Sequence, residues 1–299
     1  MEGLIAVNGK VTAPEAALVP ALDRGLLYGD GVFEVFVAFG TQILDMERHF
    51  ERLRASAEAL EFTIPWSNAE MAFELSDLVS RVPAAKKYIR LAVTRGSGLS
   101  LKLPAGATPN RYVYCLPAAQ ELPRVYREGL SLRRLIKAGG ARGAAPKTGN
   151  YLASVMGLAK AQKEGFDEIL WTNSEGEVTE AATANIFFLS RVGDNVAFLT
   201  PPAQSGILLG ITRSTLIELM QNAGIPVQEQ TIFVDELPRF DEAFVCSTVR
   251  GLVPVSAIDK HKLHTARLGS VFRHIERLYM TWVQTQLGYR VDWASGQPL

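Results

Sequence analysis

Hydrophobic and polar residues follow two different periods along the chain, and each period predicts one kind of element. Strands are predicted where β-branched and aromatic residues are dense, as in residues 32–39. Residues 4–7 and 10–11 flank the pair Asn8-Gly9, which is typical of a two-residue hairpin turn. Further strands are predicted at residues 43–44, 87–94, 111–116, 130–136, 168–172, 186–189, 242–246 and 253–255.

Helices are predicted where apolar residues recur every three or four positions. Residues 46–60 show this period, and Asp45 stands where it can cap the first turn. The other predicted helices cover residues 68–82, 151–163, 212–223 and 270–287. The apolar stripe of the first helix is Met46, Phe50, Leu53, Ala57 and Leu60, and that of residues 151–163 is Tyr151, Leu152, Val155, Met156 and Ala159.

The order of these elements predicts an α/β or α+β protein of two domains. Strands and helices are mixed, with hairpins but no regular βαβ alternation. Residues 117–123 contain two prolines and no periodicity, so we interpret them as the linker between domains. The predicted domains are therefore residues 1–116, small and N-terminal, and residues 124–299, larger and C-terminal.

Composition narrows the classes of partner. The 299 residues carry a formal net charge of zero, which gives no electrostatic reason to expect a nucleic-acid partner. The two cysteines, Cys115 and Cys246, lie far apart in strand-like runs and are typical of buried thiols in a reducing compartment. The sequence shows no signal peptide and no membrane-spanning run, so we expect a cytoplasmic protein without a membrane partner.

Lys147 stands out by its charge neighbourhood. Residues 129–163 contain no Asp or Glu but seven basic residues, and cations favour the neutral form of a nearby amine. A neutral amine is the nucleophile that Schiff-base chemistry with a carbonyl cofactor requires. A solvated turn is the alternative, since Pro-Lys-Thr-Gly-Asn is ordinary loop composition.

Other motifs give no support for other chemistries. A nucleotide-triphosphate loop ending at Lys147 would need glycines where Ala141 and Pro146 stand. No Gly-x-Gly-x-x-Gly stretch lies between a strand and a helix, and Ser97 does not lie in a nucleophile elbow. The four histidines do not combine with cysteines at ligand spacing, so no metal site is expected.

Five stretches occur in an order that resembles a known family. They are residues 28–34 (YGDGVFE), 48–53 (RHFERL), 147–151 (KTGNY), 178–187 (VTEAATANIF) and 210–213 (GITR), with Ser247-Thr248 beyond the last. Together they resemble the class IV aminotransferases, the fold-type IV enzymes that use pyridoxal 5′-phosphate. The resemblance covers residues 5–258. It implies a small α/β domain, a larger pseudo-barrel domain that binds the cofactor, and a homodimer.

The resemblance also implies roles around the cofactor. Lys147 resembles the Schiff-base lysine, and Glu180 the carboxylate that keeps the pyridine nitrogen protonated. Arg52 resembles the arginine that binds the phosphate, for which its planar fork of donors is suited. The remaining cofactor contacts that the resemblance implies are Ile211 and Thr212 at a helix N-terminus, the Thr248 hydroxyl, and Tyr151 at the phenolic oxygen.

The substrate is less sharply indicated. Tyr88 and Arg90 resemble the Tyr-x-Arg of branched-chain aminotransferases, but Val35 and Val37 stand where that subfamily has Gly and Arg. Arg250 replaces a small residue and is expected either to contact a second carboxylate or to be solvated. The residues expected to contact substrate are Tyr28, Phe33, Val35, Tyr88, Arg90, Val249 and Arg250.

We therefore predict a transaminase that acts on an L-branched-chain amino acid, with broadened specificity, and on a 2-oxo acid such as 2-oxoglutarate. A D-amino acid transaminase is the first alternative, because residues 29–35 resemble that subfamily. Aminodeoxychorismate lyase is the second alternative, because Arg95-Gly96-Ser97-Gly98 resembles the lyases. A binding module that kept the fold without catalysis is a third, which the presence of both Lys147 and Glu180 disfavours.

Overall fold

A computed structural model describes residues 2–104, 106–119, 123–137, 143–192, 195–267 and 270–299. The chain forms two compact units. Unit 1 comprises Met1–Gln120, Pro146–Asn150 and Ser295–Leu299, and unit 2 comprises Glu121–Ala145 and Tyr151–Ala294. The predicted domain division stays a prediction, and residues 120–122 of the predicted linker lie outside the described residues.

Unit 1 is a six-stranded antiparallel sheet with helices. Its strands run in the order β2-β1-β6-β5-β3-β4. Asn8 and Gly9 both have positive φ, which confirms the predicted hairpin between the first two strands. The elements are β1 (Leu4–Val7), β2 (Lys10–Thr12), α1 (Arg24–Tyr28), β3 (Gly31–Phe39), β4 (Gln42–Ile43), α2 (Met46–Ala59), α3 (Asn68–Arg81), β5 (Lys86–Thr94) and β6 (Asn110–Pro117).

One face of this sheet carries the core of unit 1. Val32, Phe36, Ile89 and Val113 alternate with residues of the other face and pack together with apolar side chains of α2 and α3. The α2 residues that are buried include Phe50, Leu53 and Ala57, as the apolar period predicts. The other sheet face carries Phe33 and Val37, which are also buried.

Unit 2 contains a nine-stranded mixed sheet in its described part. The main path is β12-β11-β10-β13-β14-β7-β8-β9, and β15 pairs with β14. The pairs β11–β12, β14–β7 and β7–β8 are parallel. The elements are α4 (Pro123–Glu128), β7 (Leu130–Ile136), α5 (Leu152–Lys163), β8 (Glu168–Thr172), β9 (Val178–Ala181), β10 (Asn185–Val192), β11 (Asn195–Thr200), α6 (Ile211–Asn222), β12 (Val227–Glu229), β13 (Glu242–Ser247), β14 (Gly251–Ile258), β15 (His261–Lys262) and α7 (Val271–Leu287).

Two local predictions are wrong. Asp45 precedes α2 but makes no side-chain cap, because its backbone has a left-handed conformation with φ of 52°. The apolar stripe of α5 does not pack inward: the helix buries Gly157 and Ala161, and exposes Leu152, Val155 and Met156.

Both cysteines are free and buried, as predicted. Burial raises the pKa of Cys115 to about 11 and that of Cys246 to about 12, so neither thiol is reactive near neutral pH. Among the helices of the described ranges, none combines the length and apolar character needed to cross a membrane.

Candidate active site

Lys147 is held through its backbone by two elements of unit 1. Its carbonyl accepts a hydrogen bond from the Phe33 amide of β3 at 3.0 Å. Its amide donates to the buried Ser56 hydroxyl of α2 at 3.1 Å. Thr148 adds an antiparallel bridge to Val32. The backbone of the lysine is thus fixed from both sides, which is what a reactive side chain needs for a defined position.

The turn after Lys147 depends on close approach to a glycine. Gly29 ends α1 with φ of 67°, and a Cβ there would lie 2.1 Å from Oδ1 of Asn150. A residue with a side chain would clash with Asn150 and would be strained at this φ. The stretches 28–34 and 147–151 of the sequence are therefore brought together.

Two arginines of the basic span that contains Lys147 have acidic partners from elsewhere in the chain. Arg133 pairs with Glu164 and Asp259, at 2.6 and 2.8 Å, and Arg134 pairs with Asp259 at 3.3 Å. All three ion pairs lie within unit 2. Residues 129–163 contain no Asp or Glu, but folding brings acidic residues from outside this span into contact with its arginines. Arg142 lies outside the described residues.

Arg52 forms a buried ion-paired cluster in unit 1. Its Nε and Nη2 donate to the two oxygens of Glu34 at 2.7 Å each. His49, one turn earlier on α2, contacts Oε2 of Glu34 through Nδ1 at 2.7 Å. Because a carboxylate only accepts, we assign the hydrogen to Nδ1. The Arg52 side chain is therefore largely shielded from solvent and held by a buried carboxylate.

The protonation states in this cluster follow from burial and pairing. Burial raises the pKa of Glu34, but hydrogen bonds from Arg52 and His49 more than offset this effect and hold that pKa at about 2. Burial also lowers the pKa of His49, because it disfavours the imidazolium. The cluster therefore holds an ionised carboxylate and a neutral imidazole at physiological pH.

Four of the predicted substrate residues lie on one face of the unit 1 sheet. The β3–β5 register sets Val35 opposite Arg90 and Val37 opposite Tyr88. Phe33 lies two residues before Val35 and therefore on the same face. This is the face opposite the core, so these side chains do not compete with the packing of α2 and α3.

The Phe33 ring has two cationic neighbours. The Arg90 guanidinium carbon lies 3.5 Å from its centroid, and Nζ of Lys147 lies 4.6 Å from it. Both contacts are in the range of cation–π attraction. Because both distances end at one centroid, the Arg90 guanidinium and the lysine amine are separated by at most about 8 Å.

Tyr28, at the end of α1, is held by a loop of unit 1. Its hydroxyl donates to the Leu99 carbonyl at 2.5 Å. The helix itself begins at buried Asp23, whose carboxylate accepts from the amide of Gly25 and from Tyr112 of β6. A buried hydrogen-bonded carboxylate thus fixes the start of the helix that carries Tyr28.

In unit 2, Leu208 connects Glu180 with Asn185. The Leu208 amide donates to Oε2 of Glu180 at 3.1 Å, and its carbonyl accepts from Nδ2 of Asn185 at 2.8 Å. Glu180 lies on β9, which the sequence pattern did not predict, and Asn185 begins β10. The stretches 178–187 and 210–213 are therefore joined by the segment that leads into α6.

The N-terminus of α6 has the features of an anion site. Gly210 is the N-cap and makes no side-chain cap, while Ile211 and Thr212 in the first turn are buried. A Cβ at Gly210 would lie 2.1 Å from Oδ1 of Asn185, so a larger residue would have to displace that side chain. Helix amides and the helix dipole favour a phosphate at such an end.

Thr248, Val249 and Arg250 form the turn between β13 and β14. The Val249 carbonyl accepts from Nε1 of Trp293, and the Arg250 carbonyl accepts from the Tyr126 hydroxyl, both at 3.1 Å. The Arg250 side chain pairs with buried Glu168 at 2.7 Å. Arg250 therefore pairs with a carboxylate of its own chain, whereas the expected environments were a substrate carboxylate and open solvent.

Tyr151 also belongs to unit 2, where it occupies the N-cap position of α5 rather than a position within the helix. Its carbonyl accepts the first helical bond, from the Val155 amide at 2.9 Å. The side chain is half-buried. Its contact with a cofactor oxygen stays a prediction.

Sequence reasoning assigned no role to Glu34, His49 and Ser56. A signal for Glu34 was present, because it interrupts the apolar residues of its strand at a position that faces the core. His49 and Arg52 are spaced three residues apart on one helix face, which suits a shared partner. Ser56 carries no comparable signal, since a serine in an amphipathic helix is ordinary.

The donor groups of each unit fit pyridoxal 5′-phosphate. Unit 1 supplies the primary amine of Lys147 for an aldehyde and the guanidinium of Arg52 for a phosphate. Unit 2 supplies the Glu180 carboxylate for a pyridinium N–H and the α6 N-terminus, without a side-chain cap, for an anion. These groups match the functional groups that the cofactor carries.

Comparisons with known proteins agree with these features. Residues 31–258 match the family model described as amino-transferase class IV. The chain is 29% identical to the branched-chain-amino-acid aminotransferase of Salmonella typhimurium, over 91% of this chain and 90% of that protein. It is 30% identical to the D-alanine aminotransferase of Bacillus licheniformis, over 90% of this chain and 93% of that protein.

A solved structure shows the same fold. It is the branched-chain amino acid aminotransferase of T.th. in complex with N-(5′-phosphopyridoxyl)-L-glutamate, which matches with a TM-score of 0.82 and 28% identity. The match covers 96% of this chain and 95% of that one. The chain therefore belongs to the class IV aminotransferases, the mixed α/β enzymes of fold type IV whose cofactor is pyridoxal 5′-phosphate.

Proposed function

We propose that this transaminase moves the amino group between an L-branched-chain amino acid and a 2-oxo acid such as 2-oxoglutarate. One observation carries the proposal: Arg90 lies opposite Val35 on the sheet face where the Phe33 ring contacts both Arg90 and Lys147. A carboxylate anchor, an apolar surface and a reactive amine are thus grouped on the same two strands and the lysine segment they hold.

Lys147 has the role of the reactive amine. When bound, pyridoxal 5′-phosphate supplies an aldehyde carbon and an electron-withdrawing pyridinium ring. Nζ of Lys147 would bind at that carbon in the resting enzyme and would move the proton at Cα of the amino acid. The hydrogen bonds from Phe33 and to Ser56 support this role, because they fix the backbone of the lysine.

Other residues would hold the cofactor. Arg52 and the amides of Ile211 and Thr212 would bind the phosphate, with the hydroxyl of Thr248 as a further donor. Glu180 would accept from the protonated pyridine nitrogen, and Tyr151 would donate to the phenolic oxygen. The Leu208 amide supports the role of Glu180, since it fixes one carboxylate oxygen.

The substrate contacts follow from the sheet face. Arg90 and Tyr88 would bind the carboxylate next to the reacting carbon, and Phe33 and Val35 would contact an aliphatic side chain. Tyr28 and Val249 would complete the contacts. The names of the Salmonella and T.th. relatives favour a branched-chain substrate, whereas the Bacillus relative favours a D-amino acid.

Half-reactions test the substrate. The purified holoenzyme is mixed in separate samples with L-leucine, D-alanine and D-glutamate, and the visible absorption of the bound cofactor is followed. We expect L-leucine to remove this absorption and to yield the 2-oxo acid. A response to the D-amino acids alone would instead identify a D-amino acid transaminase. Release of pyruvate from aminodeoxychorismate without amino transfer would identify a lyase.

We also propose that the enzyme is a homodimer. Unit 1 exposes apolar side chains, among them Leu18, Leu26 and Leu101, which are 83%, 65% and 81% exposed. The hydroxyl of Tyr28 binds the Leu99 carbonyl, so part of this apolar surface is ordered rather than loose. Large exposed apolar patches are typical of protein interfaces. Light scattering on the eluting protein would measure twice the mass of the chain.

A cytoplasmic location belongs to the same proposal. Its support is the chemistry of Cys115 and Cys246, which are free and buried. Unpaired thiols are typical of reducing compartments. Fractionation of cells that express the full chain, with antibody detection, would place the protein in the soluble cytoplasmic fraction.

A further inference from the structure

Arg52 uses one edge of its guanidinium for Glu34. The two contacts, Nε to Oε1 and Nη2 to Oε2, are both 2.7 Å and form a parallel pair. A guanidinium has five N–H donors in one plane, so a bidentate partner fixes both the direction and the rotation of that plane. A phosphate would have to use the three remaining donors, whose directions are then set by Glu34.

Glu34 is in turn fixed. It lies on β3, the strand whose Phe33 amide binds Lys147, and it is fully buried. His49 donates to Oε2, the same oxygen that accepts from Nη2 of Arg52. A buried, ionised group with this number of short partners has little freedom to move. The carboxylate is thus a rigid reference for the arginine.

We propose that Glu34, supported by His49, is the positioning residue that aims Arg52 at the phosphate of the cofactor. The inference rests on the proposed phosphate role of Arg52. It assigns to Glu34 a function in cofactor affinity although Glu34 would never touch the cofactor. Ser56 lies one turn after Arg52 on α2, so the same helix would set the phosphate donor and the backbone of Lys147.

The proposal and simple electrostatics predict opposite changes in phosphate affinity when Glu34 is replaced. Glu34 neutralises the charge of Arg52, so loss of this carboxylate leaves a more positive site. If charge alone determined phosphate binding, Glu34→Gln would bind the phosphate more tightly. If Glu34 positions Arg52, the same change weakens binding, because the NH₂ group of glutamine would face one of the two arginine nitrogens and cannot accept from it.

The test compares two aldehydes on the apoenzyme. Dissociation constants for pyridoxal 5′-phosphate and for pyridoxal, which lacks the phosphate, are measured by fluorescence quenching for wild type, Glu34→Gln, Arg52→Gln and the double variant. We expect Glu34→Gln to weaken the phosphate-bearing aldehyde about tenfold, the effect of one lost charge-assisted interaction. Pyridoxal affinity should change less than about twofold. In the Arg52→Gln background, Glu34→Gln should have no further effect.

The two hypotheses fail in different ways. If the Arg52→Gln variant binds both aldehydes as tightly as wild type does, the phosphate role of Arg52 is refuted. If Arg52→Gln loses the preference for the phosphate but Glu34→Gln retains or increases it, only the positioning role is refuted. Equal weakening for both aldehydes would also refute it, since a general structural defect has that effect.

His49 provides a milder second test should Glu34→Gln fail to fold. His49→Asn places an amide nitrogen near the position of Nδ1 and should keep the phosphate preference. His49→Leu removes the donor and should reduce the preference, by less than Glu34→Gln does. Equal phosphate preference in the two His49 variants would contradict the proposed support of Glu34. Circular dichroism and thermal midpoints establish that the variants compared are folded.

Discussion

The amide of Lys147 donates a hydrogen bond to the hydroxyl of Ser56 at 3.1 Å. The two residues are 91 positions apart in the chain. Ser56 lies in the last turns of α2 and is buried, while Lys147 lies in a short segment between elements. The contact connects the segment of Lys147 to helix α2, so the position of the lysine backbone depends on a residue outside its own motif.

Ser56→Ala should lower the turnover number without abolishing it. The change leaves the Lys147 amide without its hydrogen-bond acceptor, at a cost of about 1–3 kcal/mol. If about 1.4 kcal/mol of this cost is expressed in the transition state, kcat falls about tenfold. Stopped-flow measurement of the half-reaction with L-leucine gives this value directly.

Two controls define the outcome. Lys147→Ala should lose the visible absorption of the bound cofactor and about 10²–10⁴-fold or more in rate, as expected when a proton-transfer group is removed. Ser80→Ala, at an exposed position of α3, should behave as wild type. A Ser56→Ala enzyme with unchanged kcat would show that the helix contact does not matter for the lysine.

Arg90→Gln should raise KM for both substrates. The amino acid and the 2-oxo acid each carry a carboxylate beside the reacting carbon, and a hydrogen bond to a charged group contributes about 1.5–3 kcal/mol. The expected rise is therefore about 10- to 100-fold. Arg81→Gln, which removes an exposed arginine of the same unit, is the matched control. Unchanged KM values in Arg90→Gln would exclude Arg90 as the carboxylate anchor.

Glu168→Gln should destabilise the protein more than Glu164→Gln does. Glu168 is buried and pairs with half-buried Arg250, whereas Glu164 pairs with Arg133 near the surface. We expect a loss of about 2–3 kcal/mol in the free energy of unfolding for Glu168→Gln, since one ion is left without its partner. The surface pair should contribute less than about 1 kcal/mol. Urea unfolding at pH 7 measures both.

Arg250→Gln and Glu168→Gln together separate two roles of Arg250. If Arg250 is structural, Arg250→Gln and Glu168→Gln lower stability without changing the ratio of KM values for 2-oxoglutarate and an aliphatic 2-oxo acid. If Arg250 binds the second carboxylate of 2-oxoglutarate, Arg250→Gln raises KM for that substrate selectively. Steady-state kinetics with both acceptors distinguishes the two outcomes.

Stability should fall in acid through Glu34. Its folded pKa is about 2, below the ordinary value of 4.5, so its contribution is fully present above pH 4.5 and is lost as the pH falls toward 2. The shift corresponds to about 3 kcal/mol. His49 acts in the same direction, because burial lowers its pKa and protonation in the unfolded chain then favours unfolding.

Urea unfolding across this pH range would measure the effect. The slope of stability against pH below pH 4.5 should be smaller in Glu34→Gln than in wild type. Glu51→Gln removes an exposed carboxylate from α2 and is the control, with the slope of wild type. A wild-type slope in Glu34→Gln would contradict the depressed pKa.

Most of the secondary structure could be predicted from local pattern, because propensity and turn geometry act over a few residues. Asn8-Gly9 predicted a hairpin because both residues tolerate positive φ, and both have it. The errors occurred where a tertiary contact replaces a local preference. Asp45 adopts a left-handed backbone and does not cap α2, and α5 packs through Gly157 because that glycine lies against Ile169 and Trp171.

The sequence by itself determined the family and the cofactor and predicted the reactive lysine, since these depend on short motifs whose residue types and order are chemically constrained. Only the tertiary structure decided what those residues contact. Lys147 is hydrogen-bonded to Ser56, Arg52 to Glu34, and Arg250 to Glu168, with sequence separations of 18 to 91 positions. Hydrogen bonds and ion pairs act over a few ångströms in space, and no local pattern in the chain states which distant residues packing will bring within that range.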